Sequence, residues 1–325
     1  MAKSFHSKVY ITREIPDAAI KLLKDKGYNV VVYHYDSPVS LKEFSGHVKD
    51  ADAIISLLSD RIDAQLIDNM KNCKIIANYA VGYNNIDIEY AKKKNIIVTN
   101  TPDALTDSTA DLTLALVLAC ARRIIEAEKF IRNGQFKGWK PKLFLGIELK
   151  NKVFGILGGG RIGTAVAVRA KAFGANIVYF SRSKSSQIEE STGAKKTSLD
   201  TLLKTADFIS IHLPLTEKTY HLLNKEKLSL IKKTSIFINT ARGEVVDEKT
   251  LIKLLKQKKI GGAGFDVFEN EPYINPELLK LENVVALPHI GSATFEARTQ
   301  MAILAAENVI SVLSGKKAIT PVLWP

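Results

Sequence analysis

Short apolar runs alternate along the chain with stretches whose apolar residues recur at helical spacing. In the first hundred residues the strand-like runs are 8–12, 29–33, 53–57, 74–77 and 96–99. Between them, 16–26 reads as an amphipathic helix ending at Gly27, and 63–70 and 87–94 as shorter helices. The alternation of these mostly apolar runs with helices predicts a parallel sheet covered by helices. Asn100-Thr101-Pro102-Asp103 breaks the pattern. A single long helix is expected over 106–132, opened by a capping box at Ser108-Thr109-Ala110-Asp111 and ended by Gly134. An irregular stretch, 135–149, follows. Strands are then expected at 153–157, 176–180, 208–212, 235–239, 261–265 and 284–287, with a last long helix over 293–313 and a short tail, 319–325. The fold class is therefore α/β: two Rossmann-like or flavodoxin-like parallel-sheet domains with a cleft between them. The last helix comes after the second sheet has enough strands, so it is expected to cross back. That assigns 1–103, completed by 290–325, to one domain and 104–289 to the other.

The second domain opens on Val153-Phe154-Gly155-Ile156-Leu157-Gly158-Gly159-Gly160-Arg161-Ile162-Gly163. Gly158, Gly160 and Gly163 fit G-x-G-x-x-G where a strand gives way to a helix over 164–173, with the next strand after it. Glycine triplets also occur in ordinary turns, but this strand–turn–helix–strand context makes a dinucleotide fingerprint. Gly158 permits the tight turn, Gly160 lets backbone approach a pyrophosphate, and Gly163 lets helix pack on strand. The helix N-terminus, with Arg161 and Ile162, offers N–H groups and a positive dipole to phosphates. The first domain is then left to bind substrate.

Composition excludes several alternatives. With 325 residues, 46% hydrophobic and 25% charged, the chain suits a globular protein of two ordinary domains. Cys73 and Cys120 show neither metal-ligand spacing nor a disulfide framework, which points to no metal site and to a reducing, cytoplasmic compartment. Residues 1–6 lack the apolar core of a signal peptide, and the longest apolar run, 112–121, is too short to span a bilayer. A net charge of +12 raises the question of a nucleic-acid partner. The lysines are spread over many helix faces, with no basic tail and no interleaved aromatics. The expectation is no nucleic-acid partner, no membrane, and a field that attracts anionic ligands.

Three strand ends carry candidate chemistry: Arg242 in Asn239-Thr240-Ala241-Arg242-Gly243, Glu271 in Phe268-Glu269-Asn270-Glu271-Pro272, and His289 in Leu287-Pro288-His289-Ile290-Gly291. Singly, each has a plain structural role open to it: a surface charge, a helix-starting acid, a satisfied histidine. Together, beside a dinucleotide fingerprint, they supply what hydride transfer to a 2-oxo acid needs. Arg242 is a cation with a planar fork for a carboxylate, His289 a proton donor suited to neutral pH, and Glu271 a carboxylate that keeps that donor protonated.

These segments, with Ala80-Val81-Gly82-Tyr83-Asn84-Asn85-Ile86-Asp87, Thr101-Pro102-Asp103-Ala104-Leu105-Thr106-Asp107 and Gly264-Phe265-Asp266-Val267-Phe268-Glu269, resemble the motifs of the D-2-hydroxyacid dehydrogenase family, in order and over nearly the whole chain. The resemblance is strongest to its glyoxylate/hydroxypyruvate reductase branch. It implies the roles above for Arg242, Glu271 and His289. It also implies backbone N–H groups at Val81 and Gly82 that hold the substrate carboxylate, Leu58 as an apolar wall, and Asp266, Thr106, Thr240 and Gly291 near the cofactor. A cleft-closing homodimer is implied too, with the helix from Thr106 and the segment after it in the interface. Trp139 in Gln135-Phe136-Lys137-Gly138-Trp139-Lys140-Pro141 resembles a residue that reaches the neighbouring subunit's site; a simple packing aromatic is the alternative. One departure concerns the cofactor. Members that use NAD usually carry an acid at the end of the second strand of the fingerprint unit, where this chain has Ser181-Arg182-Ser183-Lys184. Arg182, with Ser181 and Ser183, suits a 2′-phosphate that an acid would repel, so NADP is expected as the preferred cofactor and NAD as the weaker one. The implied activity is NADPH-dependent reduction of glyoxylate or hydroxypyruvate to glycolate or D-glycerate. A 2-ketogluconate-type or broad D-2-hydroxyacid dehydrogenase is the alternative enzyme, and a dinucleotide-sensing corepressor-like protein the alternative outside catalysis.

Overall fold

The computed structural model describes residues 7–35 and 41–322. The stretch 1–6, read above for a leader, and the end of the tail, 323–325, lie outside the described residues. The chain divides into two compact units, Met1–Leu105 with Ala293–Pro325, and Thr106–Ser292.

In the first unit β1 (Lys8–Ile11), β2 (Asn29–Val32), β3 (Ala53–Leu57), β4 (Ile75–Tyr79) and β5 (Ile97–Thr99) form one sheet in the order β2-β1-β3-β4-β5. Every pairing is parallel, with Tyr10 opposite Ile54 and Ile54 opposite Ile76. Side chains alternate between two cores, as the two-residue period of a strand requires. Val9, Ile11, Ile55, Ile75 and Ala77 meet the helices Asp17–Asp25 and Phe295–Leu313. Tyr10, Ile54 and Ile76 meet Phe44, Leu66, Ile67 and Ala91 on the other face. The returning helix puts Ala302, Ala305 and Ala306 against the sheet, fully or almost fully buried; small side chains there let the two backbones approach closely.

In the second unit β6 (Val153–Leu157), β7 (Asn176–Phe180), β8 (Lys195–Lys196), β9 (Phe208–Ile211), β10 (Ile236–Asn239), β11 (Gly262–Phe265) and β12 (Val284–Ala286) pair in parallel in the order β12-β11-β10-β9-β6-β7-β8. The order reverses between β6 and β9. Ligands of doubly wound sheets bind at the carboxyl ends of the strands beside such a switch point. The chain is thus two parallel-sheet α/β units.

Three local expectations fail for identifiable reasons. The helix expected over 106–132 is two helices, Thr106–Ala121 and Ile124–Arg132, with Arg123 left-handed between them at φ 54°. The loop 146–147 takes the end of the first helix: Ile147 N–H donates to Ala121 O at 2.9 Å, and Gly146 passes so close that a Cβ there would overlap that carbonyl. Arg123 then holds the second helix through Glu126, at 2.8 and 2.9 Å. The capping box at Ser108 does not form, since the helix already begins at Thr106; Thr109 lies inside it, buried, and donates its hydroxyl to Gly291 O at 3.2 Å. The fingerprint helix, Arg161–Ala172, starts three residues ahead of the expected 164, directly on Gly160.

Candidate active site

The glycine turn lies at the carboxyl end of β6, on the switch point. Gly158 sits at φ 109°, where an L side chain is strained, and its N–H donates to Phe180 O at 2.8 Å; a Cβ there would also overlap His212 O. Gly163 packs its helix on the turn so tightly that a Cβ would overlap Gly158 O. Gly160 differs from both. Its backbone is extended at φ −83°, and a Cβ built there has no atom within 4 Å. Among the described residues no side chain caps the helix N-terminus that follows. Glycine at Gly160 is therefore not required by packing within the protein. An open space faces uncapped helix N–H groups, which is the shape a pyrophosphate needs. Arg161 is exposed and Ile162 half-buried at that end.

The end of β7 is where the other half of a dinucleotide site is expected. Ser181, half-buried, donates its hydroxyl to Ser183 O, and a Cβ on Gly159 would stand 3.5 Å from Ser181 Oγ, so this loop lies beside the glycine turn. Arg182 is exposed, and its carbonyl accepts a hydrogen bond from Lys196 Nζ at 3.0 Å. The positions 181–184 hold no acid. Glu189 beyond them is engaged by Lys184 at 2.9 Å and by Tyr179 Oη at 2.7 Å.

The three candidate catalytic residues follow β10, β11 and β12. Asn239 folds the loop after β10 over itself, donating to Arg242 O at 2.8 Å and accepting from Ala241 N–H at 3.0 Å. Gly243 is held against the Phe268–Glu269 peptide, where a Cβ would overlap backbone. The loop bearing Arg242 is thereby packed on the segment bearing Glu271. Burial pulls the Arg242 guanidinium below its ordinary value while Glu271 and Glu244 pull it back up; it remains a cation. Glu271 accepts from Phe268 N–H at 2.9 Å through Oε1 and meets His289 Nδ1 at 2.8 Å through Oε2. Burial works to raise the Glu271 carboxyl, but the His289 hydrogen bond and charge, the Phe268 N–H and Arg242 outweigh it, so it lies below its usual range. An ionised carboxylate only accepts, so His289 Nδ1 carries the hydrogen and Nε2 is left to exchange a proton. His289 itself is left-handed at φ 54°.

Asp266 explains how that backbone is kept. It is 1% exposed at the end of β11, and its two oxygens accept Ile290 N–H and Gly291 N–H, both at 2.7 Å. Burial raises this carboxyl against those two hydrogen bonds and the His289 charge, which lower it. The resemblance implies contact with a nicotinamide for Asp266; its carboxylate also fixes the loop that carries His289. Gly291 continues the chain to Thr109, and Thr113 joins Thr109 O to Thr240 Oγ1, at 2.7 and 2.9 Å. Thr106 is half-buried at the start of that same helix.

The remaining candidates lie elsewhere. Leu58, half-buried after β3, and Val81 and Gly82, half-buried after β4, belong to the first unit. Trp139 is 83% exposed, and the helix Ile124–Arg132 buries none of its side chains, leaving Ile124, Ile125 and Ile131 open to solvent.

Sequence reasoning missed a supporting cluster. Glu248 and Glu269 exchange hydrogen bonds, each carboxylate accepting the other's N–H, at 3.1 and 3.3 Å, and His221 Nε2 meets Glu269 at 2.6 Å. The cluster braces the Glu271 segment against the helix that follows Arg242. No periodic signal announces it, because its members are 21 to 48 residues apart. His212 is the structural counterpart of His289: it is half-buried, bonded to Ser210 Oγ at 2.8 Å, and desolvation pushes it down to about 3, so it stays neutral. Among the described residues no cluster of potential ligands could hold a metal ion, and no helix is long and apolar enough to cross a membrane.

A glycine turn at a switch point, with a cation, a carboxylate and an imidazole at the neighbouring strand ends, defines a dinucleotide-dependent oxidoreductase. Residues 114–291 match the model of the D-isomer specific 2-hydroxyacid dehydrogenase NAD-binding domain, and the chain belongs to that family. It is 51% identical over 313 residues to a glyoxylate reductase of Thermococcus litoralis, covering 95% of this chain and 94% of that one. A solved protein of Thermus thermophilus superposes with a TM-score of 0.92 at 42% identity, over 97% of this chain and 100% of the other. An NADPH-dependent glyoxylate/hydroxypyruvate reductase of Sinorhizobium meliloti, solved with NADP and malonate, gives a TM-score of 0.87 at 31% identity, over 98% and 97%.

Proposed function

We propose that the protein reduces a small 2-oxo acid, glyoxylate or hydroxypyruvate, to the D-2-hydroxy acid with NADPH, and more weakly with NADH. The observation that carries this reading is the His289 Nδ1–Glu271 contact at 2.8 Å, with Arg242 on the adjoining strand end. Arg242 pairs with the substrate carboxylate and polarises the carbonyl oxygen. Glu271 holds the imidazole in the orientation that presents Nε2–H, and His289 gives that proton to the oxygen as negative charge develops there. Glu271, still ionised, stabilises the imidazolium before transfer. In the first unit, the Val81–Gly82 loop is assigned to the carboxylate and Leu58 to an apolar wall.

When bound, the reduced nicotinamide supplies the hydride for the carbonyl carbon. The residues present fit such a cofactor: the space over Gly160 and the uncapped helix start take the pyrophosphate, and Thr106, Thr240, Asp266 and Gly291 line the nicotinamide end. Arg182, with Ser181 and Ser183, is assigned to the 2′-phosphate, supported by the lack of an acid at 181–184. The name of the Thermococcus litoralis relative supports glyoxylate as substrate, and the NADP bound to the Sinorhizobium meliloti protein supports NADP.

The protein acts as a homodimer in this reading. Ile124, Ile125 and Ile131 on the helix Ile124–Arg132, with Phe136 and Trp139 after it, are exposed, and this apolar segment is assigned to the second copy. A panel of 2-oxo acids, including 2-ketogluconate, assayed with NADPH and with NADH tests the proposal. Turnover of glyoxylate or hydroxypyruvate, faster with NADPH, is expected. Strongest turnover of 2-ketogluconate moves the assignment to the aldonate reductases. Dinucleotide binding without turnover of any 2-oxo acid favours the corepressor-like alternative.

A further inference from the structure

The loop after β4 has a feature that its sequence does not announce. Three successive carbonyls are each held by a donor from the body of the first unit. Ala80 O accepts from Thr101 N–H at 2.9 Å, Val81 O from Asn100 Nδ2 at 2.8 Å, and Gly82 O from Asn78 Nδ2 at 2.9 Å. In a planar trans peptide the N–H points opposite to the C=O. Tying these carbonyls to the body therefore turns the N–H groups of Val81, Gly82 and Tyr83 away from it. Among the described residues none of the three donates to a protein acceptor. Consecutive backbone N–H groups facing one side form a concavity for an anion.

The two residues are themselves fixed, Asn78 through its amide and Asn100 through its backbone. Asn78 is fully buried on β4, and its Oδ1 accepts from Ser56 Oγ at 3.0 Å and from Asn85 Nδ2 at 3.4 Å. Asn85 Nδ2 also reaches Leu57 O at 3.1 Å and Asp60 O at 3.0 Å, which ties the Leu58 loop to the same network. Asn100 is fixed by Thr320, whose Oγ1 donates to Asn100 O at 2.6 Å and whose carbonyl accepts Asn100 N–H at 3.3 Å. The Asn78 amide cannot swing toward solvent without breaking its bonds, and the Thr320 contacts fix the backbone from which the Asn100 amide reaches Val81 O.

We propose that Asn78 and Asn100 are positioning residues that hold the peptides of the 80–83 loop with their N–H groups outward, so that Tyr83 N–H joins those of Val81 and Gly82 in one cradle for the substrate carboxylate. This rests on the reading that the loop takes that carboxylate. The carboxylate keeps its charge through the reaction, so a weaker cradle raises KM and leaves kcat nearly alone.

The test compares the parent with Asn100→Ala and Asn78→Ser. It measures the dissociation constant of oxamate with NADPH present, KM and kcat for glyoxylate, NADPH affinity and Tm. Oxamate carries the carboxylate but is not reduced. The expected result is a parallel rise in the oxamate constant and in KM of about ten- to a hundredfold, the weight of one charge-assisted hydrogen bond. NADPH affinity stays at the parental value, and kcat changes by no more than about threefold. Asn100→Ala is the decisive variant should Asn78→Ser lower Tm. Folded variants with parental oxamate affinity and KM, or with reduced kcat at unchanged KM, overturn the clamp while leaving the reductase reading intact. A parent that turns over no 2-oxo acid removes the reductase reading alone: weaker oxamate binding in Asn100→Ala then still supports the clamp. A parent that fails to bind oxamate overturns the cradle.

Discussion

Gly160 and Gly163 lie three residues apart in one turn, and alanine at each should have opposite consequences. At Gly160 the backbone is extended, φ −83° and ψ −169°, a conformation alanine adopts freely, and a Cβ has no neighbour within 4 Å. Replacing glycine where the backbone allows it gains about 0.4–1 kcal/mol by restricting the unfolded chain. Gly160 is also the residue before the first helical turn, where alanine is worse than glycine by roughly 0.5–1 kcal/mol. The two effects nearly cancel, and Tm should stay within about 2 °C of the parent. The added methyl lies in the open space over the helix N-terminus, so dinucleotide affinity should fall by at least about a hundredfold through displaced phosphate contacts. At Gly163 the methyl overlaps Gly158 O and stands 3.1 Å from Ile156 Cγ2, so the helix must move off the turn. Overpacking of this kind costs about 1–3 kcal/mol, and Tm should fall by roughly 2–10 °C. Thermal unfolding by circular dichroism and NADPH binding by fluorescence separate the two effects. A Gly160→Ala variant that binds NADPH like the parent removes the pyrophosphate from this space; a Gly163→Ala variant with parental Tm refutes the packing argument.

Further expectations concern the catalytic groups, the cofactor and the assembly. His289→Asn, which suits the left-handed backbone at φ 54°, should lower kcat by about 10²–10⁴ and leave NADPH binding intact; steady-state kinetics beside a binding titration decides. Glu271 lies below its ordinary 4.5, so it adds stability that is present above that pH and lost as pH falls through its lowered folded value. Glu271→Gln should flatten that part of an acid-unfolding curve and move the alkaline limb of the reduction profile to lower pH, and superimposable curves count against the pair. Arg182→Ala should cut the ratio of NADPH to NADH specificity constants by about ten- to a hundredfold, and an unchanged ratio clears Arg182 of the role. Ile131, 64% exposed, should hold the dimer together, so Ile131→Glu should elute as a monomer in size-exclusion chromatography where the parent elutes as a dimer.

The two sheets were legible because their strands are apolar on both faces and separated by helical stretches, a pattern that local composition encodes. Where the reading slipped, a distant segment had intervened. Nothing within 106–132 marks a break at Arg123; the stop comes from Gly146 and Ile147 arriving over Ala121 O. The expected capping box at Ser108 falls inside a helix already under way, and Gly291, 182 residues away, accepts the hydroxyl of its neighbour Thr109.

The sequence by itself determined the strand ends at which Arg242, Glu271 and His289 stand, and the turn that only Gly158 and Gly163 can make, because strand periodicity and left-handed or crowded backbone are local properties. It also determined that 181–184 carries a guanidinium and hydroxyls in place of an acid. Only the tertiary structure decided that Glu271 Oε2 faces His289 Nδ1 across 18 residues of chain, that Asp266 holds the backbone beyond His289, and that Asn78 and Asn100 turn the 80–83 loop. Those are choices of hydrogen-bond partner. A buried polar group must find one, and which one it finds depends on elements brought together by packing rather than by their order along the chain.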